Sequence, residues 1–271
     1  MTKTQGSRVG CTVDPADPIG AAAERGAEAI QILLGDPQSW NKPVTLYPDG
    51  AEALKQAVKD AELTLYVHAA YVINVASANN RLRIPSRKLL QQTLDAAAEL
   101  GAAGVVVHGG HTTKNDDPEL GFDNWRKAVA GLEFSCPMFI ENTAGGDHAV
   151  ARRLESIARL WDALDGYDVG FCLDTCHAFA GGEPVETVVE KVLAITGRID
   201  LMHANDSQGG LDSGRDRHAN FGEGAIAPAD LAAAVLAAAA VGADFVCETP
   251  GAATAQAADI SWIRERLAKA E

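Results

Sequence analysis

The chain alternates between short apolar runs and longer stretches in which Ala, Leu, Glu and Arg recur at helical spacing. Eight of the runs are rich in Val, Ile and Leu, which is typical of strands buried on both faces of a parallel sheet. The predicted strands are Arg8–Val13, Ala29–Leu34, Leu63–His68, Gly104–His108, Pro137–Asn142, Val169–Asp174, Asp200–Asn205 and Asp244–Thr249. The intervening stretches predict helices near 17–26, 50–60, 86–100, 121–131, 147–164, 185–196, 228–241 and 256–269.

This succession of strands and helices predicts a (β/α)8 TIM barrel of the α/β class. Eight units follow one another without a break in composition, which favours a closed barrel over the alternative of an open, doubly wound sheet. The length of 271 residues suits one barrel, so we expect a single domain over residues 1–271, with a disordered tail at 1–7.

Composition and charge narrow the functional class. Lys and Arg number 23 against 37 Asp and Glu, and the formal charge of −14 argues against a chain that holds a polyanion over a broad surface. No apolar stretch reaches membrane length and the first residues do not resemble a signal peptide, so we expect a cytoplasmic protein without membrane contact. Five cysteines, an odd number in a chain of this size, are expected to be reduced core residues.

Six ionisable residues stand at or next to the carboxyl ends of consecutive predicted strands. Because these ends surround one rim of a barrel, the six side chains are expected to converge on one cavity. Three carboxylates crowded together would repel one another unless cations neutralised them, and imidazole with carboxylate suits Zn²⁺, Mn²⁺ or Fe. The six residues are His68, His108, Glu141, Asp174, His203 and Glu248.

Three further candidate ligands lie in the loops beyond those strands. His177 follows Asp174 by three residues, and Asp216 and His218 stand two positions apart. In an extended segment such positions share one side, so this pair can hold one ion. A cluster of ions can generate a nucleophile near neutral pH, orient a phosphate and stabilise a leaving oxygen. Phosphodiester hydrolysis uses all three functions.

Several short motifs surround these candidate ligands. They are HAAYVIN at 68–74, VHGGH at 107–111, IENTAG at 140–145, FCLDTCH at 171–177, HANDS at 203–207, DRH at 216–218, GEG at 222–224 and CET at 247–249. Together they resemble the endonuclease IV family of apurinic/apyrimidinic (AP) endonucleases, zinc-dependent DNA-repair enzymes built on a TIM barrel. The resemblance runs over about residues 8–268, and all nine ligand positions of the family carry the same residue type here.

The resemblance implies three Zn²⁺ ions per chain, with Mn²⁺ possible at one site. The implied ligand groups are His68, His108 and Glu141 for the first ion, Glu141, Asp174, His203 and Glu248 for the second, and His177, Asp216 and His218 for the third. Glu141 would bridge the first two ions, and Glu141 and Glu248 are the implied catalytic carboxylates. The implied reaction hydrolyses the phosphodiester 5′ to an abasic site and leaves a 3′-hydroxyl and a 5′-deoxyribose phosphate.

The same resemblance implies the partner and its contacts. The substrate would be double-stranded DNA with abasic sites or blocked 3′ ends, and the family works as a monomer. Tyr71 and Val72 match the positions at which the family inserts side chains at the lesion, and Gln38 and Arg217 are further expected DNA contacts. An abasic nucleotide lacks stacking, so extruding it costs less than flipping an intact one.

The chain departs from better-known family members at four positions. Thr12 stands where a histidine is found, Gln38 replaces an arginine, Val72 is smaller than the usual leucine, and Gln208 replaces a lysine. Each change removes bulk or charge near the expected DNA face or the metal site. Basic residues nevertheless gather there at 81–88 and 215–217, so we expect DNA binding to be confined to one rim and to be sensitive to salt.

Two other functions are compatible with parts of this pattern. A metal-dependent sugar isomerase or epimerase also places His, Glu and Asp ligands at strand ends of such a barrel. It does not need the group of His177, Asp216 and His218, nor Tyr71. A protein that binds abasic DNA without cutting it is the second alternative, and the intact ligand set argues against it.

Overall fold

The computed structural model describes residues 6–146 and 148–270. Eight parallel strands close into a barrel in which sequential strands are neighbours, and two further short strands form an antiparallel pair. The strands are β1 (Val9–Thr12), β2 (Ala29–Leu33), β3 (Thr64–His68), β4 (Gly104–His108), β5 (Met138–Glu141), β6 (Gly170–Asp174), β7 (Leu201–His203), β8 (Asp206–Ser207), β9 (His218–Ala219) and β10 (Asp244–Cys247). The β8–β9 pair lies outside the barrel, and the predicted closed barrel is confirmed.

Helices follow the barrel strands and cover their outer face. They are α1 (Pro18–Arg25), α2 (Gly50–Asp60), α3 (Asn80–Leu100), α4 (Glu119–Val129), α5 (Leu154–Ala163), α6 (Thr175–Gly181), α7 (Val185–Thr196), α8 (Pro228–Ala240) and α9 (Ala253–Ala270). No helix of the described residues is both long and apolar enough to cross a bilayer. The predicted tail at 1–7 falls largely outside the described residues, so its disorder stays a prediction.

Three helical features differ from the prediction. The α5 helix was predicted from residue 147 but begins at Leu154. The short α6 was not predicted, because its seven residues directly continue β6. The α3 helix was predicted from residue 86, after Pro85, but begins at Asn80. The side chain of Asn79 caps the helix by accepting a hydrogen bond from Arg81 N. Pro85 has no N–H to donate, and the helix continues through this residue without that backbone hydrogen bond.

The barrel interior consists of an apolar ring beneath a polar ring. The apolar ring comprises Ala29, Tyr66, Val106, Phe139, Cys172, Leu201 and Val246. Side chains of a strand return to the same face every second residue, so the residue two positions further along each strand also faces inward. These next positions, with Thr12 on β1, form the polar ring of Thr12, Gln31, His68, His108, Glu141, Asp174, His203 and Glu248. The two-residue period of the strands therefore places six candidate ligands at the rim formed by the carboxyl ends of the strands.

Candidate metal centre

The first group of candidate ligands comprises His68, His108 and Glu141. The Nε2 atoms of the two histidines lie 3.2 Å and 3.3 Å from Glu141 Oε2. His68 Nδ1 lies 2.7 Å from the carbonyl oxygen of Ala69, to which it donates as N–H, and this leaves the Nε2 lone pair facing the carboxylate. Two imidazoles and one carboxylate oxygen thus converge from three neighbouring strands.

The second group comprises Glu141, Asp174, His203 and Glu248, whose ligand atoms lie within 4.8 Å of one another. Glu141 Oε1 lies 3.1 Å from His203 Nδ1, whereas its Oε2 faces the first group. Glu141 therefore presents one oxygen to each group, as a bridging carboxylate must. Burial alone would raise the pKa of Glu141, but His203 and His108 outweigh burial and hold that pKa well below its usual range.

The third group differs in detail from the expected one. Asp174, His177 and His218 have ligand atoms within 4.8 Å of one another, so Asp174 stands between the second and third groups. Asp216 Oδ1 lies 3.1 Å from His177 Nε2 and 3.4 Å from His218 Nε2, on a side chain that is 53% exposed. All nine predicted ligands are thus brought together, with Asp216 at the solvent edge.

These donor sets suit divalent metal ions. Within the part of the chain that the structure describes, His177 Nε2 and His218 Nε2 are buried and make no well-formed hydrogen bond, although Asp216 Oδ1 lies 3.1 Å and 3.4 Å from them. A buried nitrogen without a partner is expected where a ligand completes the site. Imidazole with carboxylate is the donor set that Zn²⁺ and related ions prefer. Cys172 and Cys176 lie close by, but burial raises the pKa of each thiol to about 12, so thiolate ligands are not expected.

The third group depends on hydrogen bonds that the sequence motifs did not reveal. Asp174 caps α6 by accepting from His177 N at 2.7 Å, and Asn142 O lies 3.0 Å from His177 Nδ1. The fully buried Asp206 accepts four backbone N–H groups, from Ser207, Gly222, Gly224 and Ile226, at 2.7–3.1 Å. Asp206 thereby fixes the loop that follows β9 and carries the GEG motif.

Thr12 and Gln31 complete the polar ring without belonging to any ligand group. Gln31 Nε2 donates to Glu248 Oε1 at 2.6 Å and to Thr12 Oγ1 at 3.0 Å. Thr12 Oγ1 lies 3.3 Å from the same Glu248 oxygen. The departure at Thr12 therefore leaves a residue that still hydrogen-bonds to a ligand. Gln31 was missed by the sequence analysis, although it stands two positions after Ala29, just as each ligand stands after its apolar partner.

The expected DNA contacts lie on the same rim. Tyr71 is 46% exposed, and its ring stacks on that of His108 at a centroid distance of 5.9 Å. Tyr71 N donates to Pro37 O at 2.9 Å, which joins this loop to the one that carries the exposed Gln38. Arg217 is exposed beside Asp216, whereas Val72 is half-buried against the core. Of the expected inserting pair, Tyr71 is therefore the more open to solvent.

The basic residues near this rim are divided in their roles. Arg83 donates to the carbonyl oxygens of Ser77 and Ala78, and Arg87 donates to Asn124 O, so both hold the chain in place. Arg215 and Arg217 are exposed in the loop before β9.

A cavity of about 340 Å³ opens between Tyr71, His108, His177 and Asp216. The cavity is large enough for a sugar-phosphate unit next to the candidate ligands.

The fold and this site define the chain as a metal-binding enzyme of the xylose isomerase-like TIM barrel family, whose model matches residues 19–266. The chain is 54% identical over 258 residues to "Probable endonuclease 4" of Mycobacterium bovis (strain BCG / Pasteur 1173P2), covering 95% of this chain and 98% of that protein. It superposes on endonuclease IV from Thermus thermophilus with a TM-score of 0.82 and 31% identity, covering 97% and 99% of the two chains. The chain therefore belongs to the endonuclease IV family.

A solved sugar-epimerase-like structure shares the fold alone. The structure of a D-tagatose 3-epimerase-like protein matches with a TM-score of 0.79, over 97% of each chain, but with 20% identity. The barrel by itself does not separate the nuclease from the sugar-converting alternative. The sequence identity to endonuclease 4 makes that separation.

Proposed function

We propose that this member of the endonuclease IV family hydrolyses the phosphodiester 5′ to an abasic site in double-stranded DNA, with three zinc ions. The observation that carries this proposal is that three ligand groups adjoin one another: Glu141 belongs to the first and second groups, and Asp174 to the second and third. A sugar isomerase or epimerase has no use for a third group at the open edge. Blocked 3′ ends as further substrates, a monomeric state and a cytoplasmic location stay predictions.

The nine candidate ligands fit three ions as the resemblance implies, with Asp174 in position to contact the third. When bound, divalent ions supply positive charge that draws in the phosphate, favours a nucleophile near neutral pH and stabilises the leaving oxygen. The identity of the ions as Zn²⁺, with Mn²⁺ possible at one site, rests on the mixed imidazole and carboxylate donors. This assignment of ligands to ions is part of the proposal.

Two properties of Glu248 prepare the reaction: its side chain is held in one orientation, and its carboxylate is ionised. Glu248 is held at Oε1 by Gln31 and at its backbone N–H by Asn205 Oδ1, at 2.6 Å and 2.8 Å. Burial would raise the pKa of Glu248, but His203, His68 and His218 together outweigh burial and the net pKa is lowered, so the carboxylate stays ionised. Its Oε2, which lies 3.4 Å from His203 Nδ1, can therefore orient a water molecule and accept a proton from it. We assign Glu248 this role beside ligation.

The substrate side of the rim selects a damaged site. Tyr71 offers an exposed aromatic face, and base–aromatic or sugar–aromatic contacts do not depend on sequence. The cavity beside it admits a nucleotide that has left the stack, which costs least where the base is missing. Arg217, next to the lining residue Asp216, and Gln38, in the loop joined to Tyr71, would contact the flanking backbone. Recognition of the lesion thus follows from ease of extrusion and from access to the ligand groups.

An incision assay tests the proposal. The zinc-loaded protein is incubated with a duplex oligonucleotide that contains one tetrahydrofuran abasic analogue, and the cut strand is sized. We expect a single cut on the 5′ side, with a 3′-hydroxyl product that a polymerase extends. Glu141→Gln replaces one of the two oxygens that face the two groups by NH₂, which cannot ligate a cation, and is expected to slow cutting at least about a thousand-fold. The same duplex without the analogue is the substrate control.

Two outcomes would contradict the proposal. One is the absence of a cut strand with zinc-loaded protein at any ratio of protein to duplex. The other is wild-type cutting by Glu141→Gln, since the bridging carboxylate is central to the site. Binding of the abasic duplex without cutting would instead favour the lesion-binding alternative.

A further inference from the structure

The candidate histidine ligands are oriented in two different ways. In His68, His177 and His218 the Nδ1 atom faces a backbone carbonyl oxygen, at 2.7, 3.0 and 3.2 Å. In His203 the arrangement is reversed: Nε2 faces the side-chain oxygen Oε1 of Gln31 at 2.8 Å, and Nδ1 faces the second ligand group. His177 Nδ1 also lies 3.1 Å from Glu141 Oε1, so among these four histidines His203 alone is oriented by a side chain outside the nine candidate ligands.

The hydrogen bonds around Gln31 define its amide orientation. A carboxylate accepts hydrogen bonds only, so the amide atom 2.6 Å from Glu248 Oε1 is the NH₂ group. The other amide atom is then the oxygen, which can only accept. His203 Nε2, 2.8 Å from that oxygen, must therefore carry a hydrogen. In a neutral imidazole this leaves the lone pair on Nδ1.

The lone pair on His203 Nδ1 points where the second ion is expected. This atom lies 3.1 Å from Glu141 Oε1, 3.4 Å from Glu248 Oε2 and 4.0 Å from Asp174 Oδ2. Gln31 is fully buried, so each amide group that lost its partner would be costly. The amide thus links two strand-end ligands, His203 and Glu248, from a strand that carries no ligand.

We propose that Gln31 is a positioning residue that fixes the tautomer of His203 and the side-chain orientation of Glu248 for the second metal ion. This inference rests on the proposed metal assignment, and it concerns a residue outside the nine ligands. Thr12 supports the same amide from β1 by accepting from Gln31 Nε2. The two polar-ring positions without a ligand therefore serve the ligands across the barrel.

A spectroscopic test uses the wild-type protein. Long-range ¹H–¹⁵N correlation spectra of zinc-loaded protein labelled with ¹⁵N-histidine report which ring nitrogen carries the hydrogen and which binds metal. We expect His203, assigned by its absence in His203→Asn, to carry hydrogen on Nε2 and metal on Nδ1, with the reverse pattern for His68, His177 and His218. A His203 signal with metal on Nε2 would overturn the inference.

A variant test measures the consequence for metal binding. Gln31→Met keeps the length of the side chain but removes both amide interactions. We expect the affinity for one of three zinc ions to fall about 10- to 100-fold in a chelator competition, and kcat to fall while KM for the abasic duplex is unchanged. The matched control is Tyr66→Phe, because the Tyr66 hydroxyl donates to Asp244 Oδ2 at 2.8 Å and its removal costs one partly buried hydrogen bond at the strand position paired with Gln31.

The outcomes separate this inference from the proposed function. Three ions bound by Gln31→Met with wild-type affinity would overturn the role of Gln31 alone. An equal loss of affinity in Tyr66→Phe would also overturn it, because the effect would then be a general response of the barrel interior. A wild-type protein that binds no zinc would overturn the proposed function itself. If Gln31→Met fails to fold, the spectra of the wild-type protein still test whether His203 carries its hydrogen on Nε2.

Discussion

Six candidate ligands belong to the polar ring at the strand ends, and three belong to the segments beyond the strands. The first set is held by the barrel itself: Glu141, Asp174 and His203 are fully buried at the ends of paired parallel strands. The second set comprises His177 in α6, Asp216 in a loop and His218 in β9, and its carboxylate is about half exposed. The first set is thus held by the paired strands of the barrel, whereas the second set lies on α6, β9 and the loop before β9.

The difference shows how a shared barrel acquires a particular chemistry. The strand-end set follows from periodicity, since every barrel strand must present some residue at that level. The loop set needs additional hydrogen bonds, above all the four that Asp206 accepts. We therefore expect the strand-end groups to bind metal tightly and the loop group to bind it more weakly.

The largest expected effect comes from removing the metal. A chelator titration of zinc-loaded protein should release one ion per chain first and the other two at much higher chelator concentration. Removal of all three should lower the free energy of unfolding by several kcal/mol, because binding to the folded state alone stabilises it and the carboxylates are then left crowded. Metal content by mass spectrometry and thermal unfolding measure the two effects. Release of all ions in a single step would contradict the distinction between the two sets.

Much of the fold and of the ligand set could be predicted from the sequence. Apolar runs ending in His108 or Asp174 reveal both a strand and its functional end, because a buried strand needs apolar residues and the rim needs ligands. Gln31 was missed because a lone amide inside an apolar run has no motif of its own. Its partners, Thr12 and Glu248, lie far apart along the chain, and only closure of the barrel brings them together.

The loop supports were beyond prediction for a similar reason. Asp206 lies within the HANDS motif, but its role is to accept hydrogen bonds from backbone N–H groups as far along the chain as Ile226. Every residue except proline carries the same backbone N–H group, so residue types do not reveal which of these groups Asp206 binds, and the geometry of the loop cannot be inferred from them. The exposure of Tyr71 and the partial burial of Val72 likewise depend on how the loops pack.

A smaller effect is expected from loosening the loop. Asp206→Asn replaces one acceptor oxygen by NH₂, which cannot accept from Gly222 N and Gly224 N. We expect the free energy of unfolding to fall by about 1–3 kcal/mol and the weakly bound ion to be lost, with the two strand-end ions retained. Asp36→Asn, at an exposed turn, is the matched control and should change stability by less than about 0.5 kcal/mol. Loss of a strand-end ion in Asp206→Asn would be evidence against separate support of the two sets.

The smallest expected effect concerns pH. In the metal-free protein, burial would lower the pKa of His177, but Asp174, Asp216 and Glu141 outweigh burial and raise it well above its usual value. The same balance, with Cys172, Glu248 and Glu141 outweighing burial, raises the pKa of His203. Stability from these protonated histidines is fully present below about pH 6.5 and is lost as the pH rises through their raised pKa values.

Metal binding reverses this dependence, because a ligated imidazole must be unprotonated. We therefore expect the gain in Tm on adding zinc to metal-free protein to be larger at pH 8 than at pH 6. Thermal unfolding with chelator and with zinc at pH 6, 7 and 8 measures this gain. A gain that stays constant or shrinks with rising pH would contradict the proton-for-metal exchange.

The number of metal ions per chain tests the central claim most directly. Zinc-loaded protein is freed of excess metal by gel filtration, and its metal and protein are quantified in the same sample. A ratio of three ions per chain is the result we predict, since it requires the loop set as well as both strand-end groups. A ratio of one or two would contradict a trinuclear centre and would favour the sugar isomerase or epimerase alternative.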